Sequence, residues 1–381
     1  MSLGKFHPYS AGTKLSLLKQ ELRRLSDLFE LDGALTVEIP SLVDSEALLD
    51  LYGEELNSRT YIVEDPVRGN LMLRPDFTVP IVQMHLDRGS EAEKYCYAGK
   101  VWRKQDQFSL RQTEYWQAGF EHFGGKNVPA DDVAAFSLIW KALGNLDLEI
   151  VTGDLGILRS AIHGLTANTR CKDALLRQLW RPARFRQTLQ YFSSSSSLIK
   201  DSQLKLVEAL KVGSLEKELS QVGPVIGLRR AQDIIKRIEF IAEDAKENQI
   251  NKLDFKLLED LLSISCPLVD AAAYIKKISR LNAELNQAVI LLENRLDAMS
   301  DAKVDIKKMS FEVSFGRTSM EYYDGFVFEI HADKRGVLGP VAQGGRYDEL
   351  TKFFNKGVKG AALSAVGGII RPEILNIIKD Q

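Results

Sequence analysis

From about Ser160 to Ala302 the chain is written in helical period, and on both sides of that stretch it is written in strand period. Upstream, Tyr95 to Arg103 and Glu114 to Phe123 read as a strand pair, with the polar stretch Lys104 to Thr113 as the loop between them. Leu146, Leu148 and Ile150 alternate as a half-buried strand. Downstream, Phe311, Val313 and Phe315 alternate, and so do Phe326, Phe328 and Ile330. Between them Ile234, Ile235, Ile238 and Ile241 form one helical stripe, and Tyr274, Ile275, Ile278, Leu281, Leu285, Val289, Leu292 and Leu296 form another, longer one. Such a chain is α+β: an antiparallel sheet flanked by helices, built from both ends of the sequence and interrupted by a helical insertion. The expected parts are a first core segment, 1–159, the insertion, 160–302, and a second core segment, 303–381. Within the insertion the run Ser193 to Ser197 offers no core-forming side chain and reads as a flexible loop.

The first core segment opens with an amphipathic helix, marked by Leu15, Leu18, Leu22, Leu25 and Phe29 at steps of three and four. Gly33 can end it, and Thr36 to Ile39 then reads as a strand stopped by Pro40. Tyr61–Val63 and Asn70–Leu73 read as a hairpin whose turn is supplied by Asp65-Pro66 and Arg68-Gly69.

Composition narrows the function classes. With 50 basic against 52 acidic residues the net charge is −2, so no global field gathers nucleic acid. Three cysteines without CxxC spacing read as reduced thiols, and five dispersed histidines give no metal-site spacing. Met1 to Ser10 lacks the apolar core of a secretory signal, and the longest apolar stretch, Ala361 to Ile370, is too short to cross a bilayer. A cytoplasmic protein with no metal, no cofactor and no membrane partner is expected.

The polar residues at strand ends suit a free amino acid. Such a ligand needs an acid for its ammonium and a donor for its carboxylate, because burying either charge unpaired is costly. Asp76 and Thr78 follow the Arg74-Pro75 turn; Gln117 and Glu121, four apart, share one face of a strand. Tyr323 precedes the Asp324-Gly325 turn, and Tyr347 stands in what reads as a glycine turn, Gly344 to Asp348.

Taken in order, Leu73 to Thr78, Trp102-Arg103, Glu114 to Gln117, Met320 to Tyr323 and Gly344 to Asp348 resemble the catalytic core of the histidyl-tRNA synthetases, class II synthetases. The resemblance spans about Leu15 to Asp154 and Lys308 to Leu375. It implies that Asp76, Thr78 and Gln117 hold the amino-acid backbone, that Glu121 and Tyr323 face an imidazole, and that Tyr347 closes the pocket. The family usually has glutamate where Asp76 stands. The opening helix and strand resemble the first class II motif, which implies a homodimer.

The phosphate side departs from that pattern. Adenylation needs fixed cations for the α-phosphate, and arginine suits them best. Arg103 fits the first such position and Arg111 is present, so these two are the expected residual nucleotide site. The acidic position two beyond Arg103 is Gln105, an expected arginine is Thr113, and the arginine of the histidine-specific segment is Thr318, with Arg317 beside it. At the third-motif helix Ala365-Val366-Gly367 matches, but the phosphate-binding arginine falls on Ile374, and Arg371-Pro372 stands three residues early, where proline fits only a first helical turn. The chain also stops about where a tRNA-reading domain would begin, and no such domain is expected.

A synthetase core with an amino-acid pocket and a damaged ATP site resembles the regulatory subunits of ATP phosphoribosyltransferase. That implies a non-catalytic role in the first step of histidine biosynthesis, histidine as a ligand and feedback signal, no tRNA, and a short-form catalytic subunit as partner within a hetero-oligomer. The alternative is a catalytic fragment of a histidyl-tRNA synthetase acting with a separate tRNA-binding partner. The cluster Arg177, Arg181, Arg184 and Arg186, interleaved with Trp180 and Phe185, reads either as a contact surface or as a solvated basic helix end.

Overall fold

The computed structural model describes residues 11–44, 59–89, 92–105, 112–193, 201–214, 231–246, 250–279, 282–317, 322–332, 339–355 and 363–379. The strands are β1 (Leu35–Thr36), β2 (Leu42–Asp44), β3 (Ile62–Asp65), β4 (Gly69–Leu73), β5 (Glu93–Trp102), β6 (Glu114–Phe123), β7 (Glu149–Asp154), β8 (Ser265–Pro267), β9 (Met309–Glu312), β10 (Phe326–His331), β11 (Ala342–Arg346) and β12 (Ala365–Ile370). The helices are α1 (Gly12–Leu31), α2 (Thr78–Arg88), α3 (Val128–Leu143), α4 (Leu155–His163), α5 (Thr169–Leu176), α6 (Pro182–Ser193), α7 (Asp201–Lys211), α8 (Ala231–Lys246), α9 (Lys252–Leu262), α10 (Leu268–Ile278), α11 (Ala283–Asp301), α12 (Asp348–Phe354) and α13 (Pro372–Lys379).

Both ends of the chain meet in one sheet of order β1-β5-β6-β12-β11-β10-β7-β9-β8. It is antiparallel except where β1 joins β5 and β7 joins β9. The ten-residue strands β5 and β6 pair along their whole length, from Glu93 opposite Phe123 to Trp102 opposite Glu114. β6 then takes β12 as its other neighbour, so residues far apart in sequence complete one surface. The hairpin β3–β4 lies with β2 in a separate three-stranded sheet. Helix α1 buries Leu18, Leu22, Leu25 and Phe29 as its period requires, and Gly33 stops the chain in the left-handed region at φ 87°. Helix α3 buries Phe136 edge-on against Phe328 of β10, with ring centroids 5.1 Å apart.

Several local expectations are corrected. Gly344 and Gly345 lie inside β11, opposite Gly368 and Gly367 of β12, and not in a turn. A Cβ on Gly344 would stand 2.4 Å from the Gly367 carbonyl and 2.6 Å from Phe328 Cζ, so neighbours across the sheet require these glycines. Ala365 to Gly367 likewise belongs to β12; the helix that follows, α13, has Pro372 as its first residue. The strand expected over Thr36 to Ile39 is only Leu35–Thr36, and β7 begins near the end of the alternating stretch. The long stripe from Tyr274 to Leu296 is two helices, α10 and α11. Asn282 caps α11 by accepting from the Leu285 N–H at 2.9 Å, and Tyr274 is exposed.

The chain forms two compact units, 1–158 with 261–381, and 159–260. The second boundary falls well before the expected position at 302. Helices α10 and α11 go with the sheet unit because Arg295 of α11 is buried against Asp132 of α3 and Asp154 of β7. The helical unit has its own apolar centre: Cys171, Leu175, Phe185, Leu189 and Phe192 are buried on α5 and α6. In the same unit Val207 and Ala209 of α7 pack with Ile238 of α8. The serines after Ser193 lie outside the described residues. Among the described residues no helix is long and apolar enough to cross a membrane.

Candidate amino-acid-binding site

Strand β6 places Gln117 and Glu121 on one face, and both are buried. Glu121 lies between Tyr95 of β5 and Gly367 of β12. Its position needs that glycine, since a Cβ at 367 would stand 1.7 Å from Glu121 Oε2. Three hydroxyls donate to the carboxylate. Thr78, first residue of α2, reaches Oε1 at 2.9 Å, and Tyr97 of β5 reaches the same oxygen at 3.1 Å. Tyr347, between β11 and α12, reaches Oε2 at 2.5 Å. Tyr97 can lie across the sheet because residue 119 is glycine; a Cβ there would meet the Tyr97 hydroxyl at 2.3 Å.

Around this carboxylate the remaining members close in. Tyr322 donates to Thr78 Oγ1 at 3.4 Å, and its ring sits 4.7 Å from that of Tyr323. The Tyr323 ring meets Tyr347 at 6.2 Å and 62°. Asp76 is buried and accepts weakly from the Val79 N–H at 3.5 Å, at the start of α2. Gln117 Oε1 is buried with no hydrogen-bond partner among the described residues. Asp76, Thr78, Glu121, Tyr323 and Tyr347 therefore belong to one buried neighbourhood, and Gln117 is buried on the same face of β6, four residues before Glu121. Tyr347 bonds Glu121 directly, a contact the sequence does not suggest.

The electrostatics follow from burial. Desolvation pushes the Glu121 carboxyl up to about 7, against the pull of the Tyr347, Thr78 and Tyr97 hydroxyls. Burial also raises Asp76, offset in part by the Arg103 guanidinium. Tyr97, Tyr323 and Tyr347 are held well above the usual phenol range, first by burial and then by the charge of Glu121 or by one another. Such a cluster can accept an N–H from a ligand at Glu121 and offer aromatic faces around it, which suits a planar cationic or neutral ring.

The phosphate side is different. Arg103 donates Nε–H to the Pro75 carbonyl at 2.8 Å, bracing the turn that carries Asp76. The Gln105 side chain turns back to the Arg103 carbonyl at 3.4 Å. Glu373, at the start of α13, accepts the Trp116 N–H at 3.0 and 3.1 Å, so this helix end holds β6. Ile374 stands where a phosphate-binding arginine is expected. Arg111 and Thr318 lie outside the described residues; Arg317 is buried. Among the described residues no group of three His, Cys, Asp or Glu side chains could hold a metal ion.

Sequence reading missed two features. Tyr97 and Tyr322 join the cluster, and the pairing of Tyr95-x-Tyr97 with Gly119-x-Glu121 on facing strands is the signal that could have found the first. The second is a buried ion cluster: Arg346 Nε to Asp132 at 2.7 Å, Arg346 Nη1 to Asp348 at 3.0 Å, and Arg295 to Asp132 and Asp154 at 2.9 and 2.7 Å. It fixes the residue next to Tyr347.

A family model described as histidyl-tRNA synthetase matches residues 14–263 and 258–368. The chain belongs to this family. Within reach of the histidyl-tRNA synthetase family, a Rhizobium etli protein named ATP phosphoribosyltransferase regulatory subunit is 26% identical over 337 residues, covering 85% of this chain and 89% of that protein. A Brucella canis protein of the same name is 28% identical over 326 residues, covering 82% of this chain and 86% of that one. Among solved structures, an ATP phosphoribosyltransferase regulatory subunit/histidyl-tRNA synthetase from Bacillus halodurans superposes with a TM-score of 0.65 at 20% identity, covering 97% of this chain and 81% of that one. A histidine–tRNA ligase subunit from Alicyclobacillus acidocaldarius gives 0.58 at 21% identity, covering 98% and 95%. These likenesses agree with an α+β, class II synthetase-like fold.

Proposed function

We propose that this chain is a regulatory subunit of an ATP phosphoribosyltransferase, without synthetase activity of its own, that binds histidine. The observation that carries this reading is the contrast within one site: a fully buried carboxylate ringed by hydroxyls at Glu121, beside phosphate-side positions occupied by Gln105, Thr113 and Ile374. The regulatory-subunit names of the Rhizobium and Brucella relatives support it. Histidine would set its amino-acid backbone against Asp76, Thr78 and Gln117 and an imidazole N–H on Glu121, with Tyr323 beside the ring. Arg103 and Arg111 are the remnant of the nucleotide side.

The imidazole competes with Tyr347 for Glu121 Oε2. Displacing that hydroxyl moves the residue joined to Arg346, and so loads the ion cluster and α12. Linkage then makes histidine and the catalytic partner shift each other's affinity reciprocally, commonly by roughly 1–3 kcal/mol. The protein works in the cytoplasm as a homodimer inside a hetero-oligomer with a short catalytic subunit. Copurification with that subunit at low salt tests the reading: a stable complex whose phosphoribosyl transfer depends on this chain is expected, and no association would end it.

A further inference from the structure

Arg74 directly follows β4, and its side chain is buried although it is charged. Its Nε donates to the Lys100 carbonyl of β5 at 2.9 Å, and its Nη1 donates to the Ile39 carbonyl. Held on two edges, the guanidinium lies over the ring of Phe77, with Cζ 4.1 Å from the centroid. Phe77 in turn stacks on Tyr97 at 4.2 Å and 18°. Tyr97 is the residue whose hydroxyl donates to Glu121 Oε1 at 3.1 Å. A cation, a phenyl ring and a phenol thus form successive layers that end on the buried carboxylate.

The sheet is shaped for these layers. A Cβ on Gly99 would stand 2.7 Å from Phe77 Cζ and 2.8 Å from Arg74 Nη2, so the first two layers need glycine at that position of β5. Gly119, opposite Tyr97 on β6, gives the third layer its room. The backbone of Phe77 is set as well, since its carbonyl accepts the Ile81 N–H at 3.0 Å in the first turn of α2. Thr78, the next residue, is the other donor to Oε1. One short segment, 74–78, therefore governs both hydroxyls on that oxygen. Burying the guanidinium costs desolvation, which pulls Arg74 below its usual range. Lysine would serve badly here, because an ammonium cannot bond two carbonyls along fixed edges while laying a flat face on a ring.

We infer that Arg74 is a positioning residue for the amino-acid site: through Phe77 it holds the Tyr97 ring in place and so keeps the Tyr97 hydroxyl on Glu121. Its effect on histidine rests on the proposed function; its hold on Tyr97 does not. Calorimetry with histidine on the full chain tests it in a double-mutant cycle of Arg74→Lys and Tyr97→Phe. Either change leaves Glu121 a donor short and harder to ionise. Arg74→Lys therefore weakens histidine about fivefold with Tyr97 present, and by less than about twofold in the Tyr97→Phe chain. An equal loss in both backgrounds would mean that Arg74 only holds the turn carrying Asp76, and would overturn the inference, as would no loss with Tyr97 present. A second readout needs no ligand. In denaturant unfolding at pH 5 and pH 8, losing the Tyr97 donor raises the Glu121 carboxyl further, so the stability lost between the two pH values grows in Arg74→Lys as it does in Tyr97→Phe. That growth disappears on a Glu121→Gln background. Asp76, Tyr322, Tyr323 and Tyr347, the other titratable groups around Glu121, are the same in every variant. A merely structural Arg74 would lower stability equally at both pH values, which would overturn the inference. Should Arg74→Lys fail to fold, Phe77→Leu takes its place in both measurements with the same expectations. A chain that binds no histidine at all would end the histidine reading, and the unfolding comparison would then decide this one.

Discussion

The two halves of the sheet unit's site are built in opposite ways. On the amino-acid half, Glu121, Thr78, Tyr97, Tyr322, Tyr323 and Tyr347 are packed and bonded to one another, and an ion cluster fixes Arg346 behind them. On the phosphate half, Arg103 serves a backbone carbonyl and Glu373 serves a backbone N–H. Polar groups on the first half bond side chain to side chain, while those on the second bond side chain to backbone. On the proposed reading such a site would keep recognition while losing adenylation chemistry, because the two would depend on different strands and helices.

The largest effect tests the brace. Asp132→Asn leaves two buried guanidinium groups short of a charge and should cost roughly 3–5 kcal/mol in denaturant unfolding. A cost below 1 kcal/mol would mean that the cluster does not hold the amino-acid half. Next comes pH. Glu121 is raised from 4.5 to about 7 in the folded chain, so its contribution is fully present below about pH 4.5 and is lost as pH rises through about 7. The loss is on the order of 3 kcal/mol. Denaturant unfolding at pH 5 and pH 8 should show a smaller difference in Glu121→Gln than in the unaltered chain. Glu373, also pushed to about 7 by burial, acts with the same sign and accounts for slope that remains.

Tyr347→Phe removes one donor to Glu121 and should cost about 1–2 kcal/mol. By opening Oε2 to an imidazole it should also tighten histidine binding or leave it unchanged in a calorimetric titration; a tenfold loss would show that Tyr347 contacts the ligand instead. The smallest effect is on the other half. Arg103→Gln should change stability by less than about 1 kcal/mol and leave histidine affinity within a few-fold, whereas a collapse of binding would show that the two halves are not separable.

Much of this site could be read from the chain alone, for a local reason. Strands β5 and β6 and the hairpin β3–β4 announce themselves by alternation and turn residues, and the even spacing of Gln117 and Glu121 sets them on one face. What stayed hidden depends on neighbours distant in sequence. Gly344-Gly345 looks like a turn until β12 and Phe328 are seen against it. Tyr97 enters the cluster only because Gly119 lies opposite, and the ion cluster joins residues 132, 154, 295, 346 and 348, which no period connects. The insertion looked longer than the helical unit is because α10 and α11 are helical like it, yet bury their apolar faces in the sheet unit.

Histidine-dependent ATP–pyrophosphate exchange, run at saturating histidine and ATP, tests the central claim most directly. The account predicts exchange at background even while calorimetry records histidine bound. Robust exchange that vanishes in Glu121→Ala would contradict it, and would mean that the phosphate half still carries out adenylation.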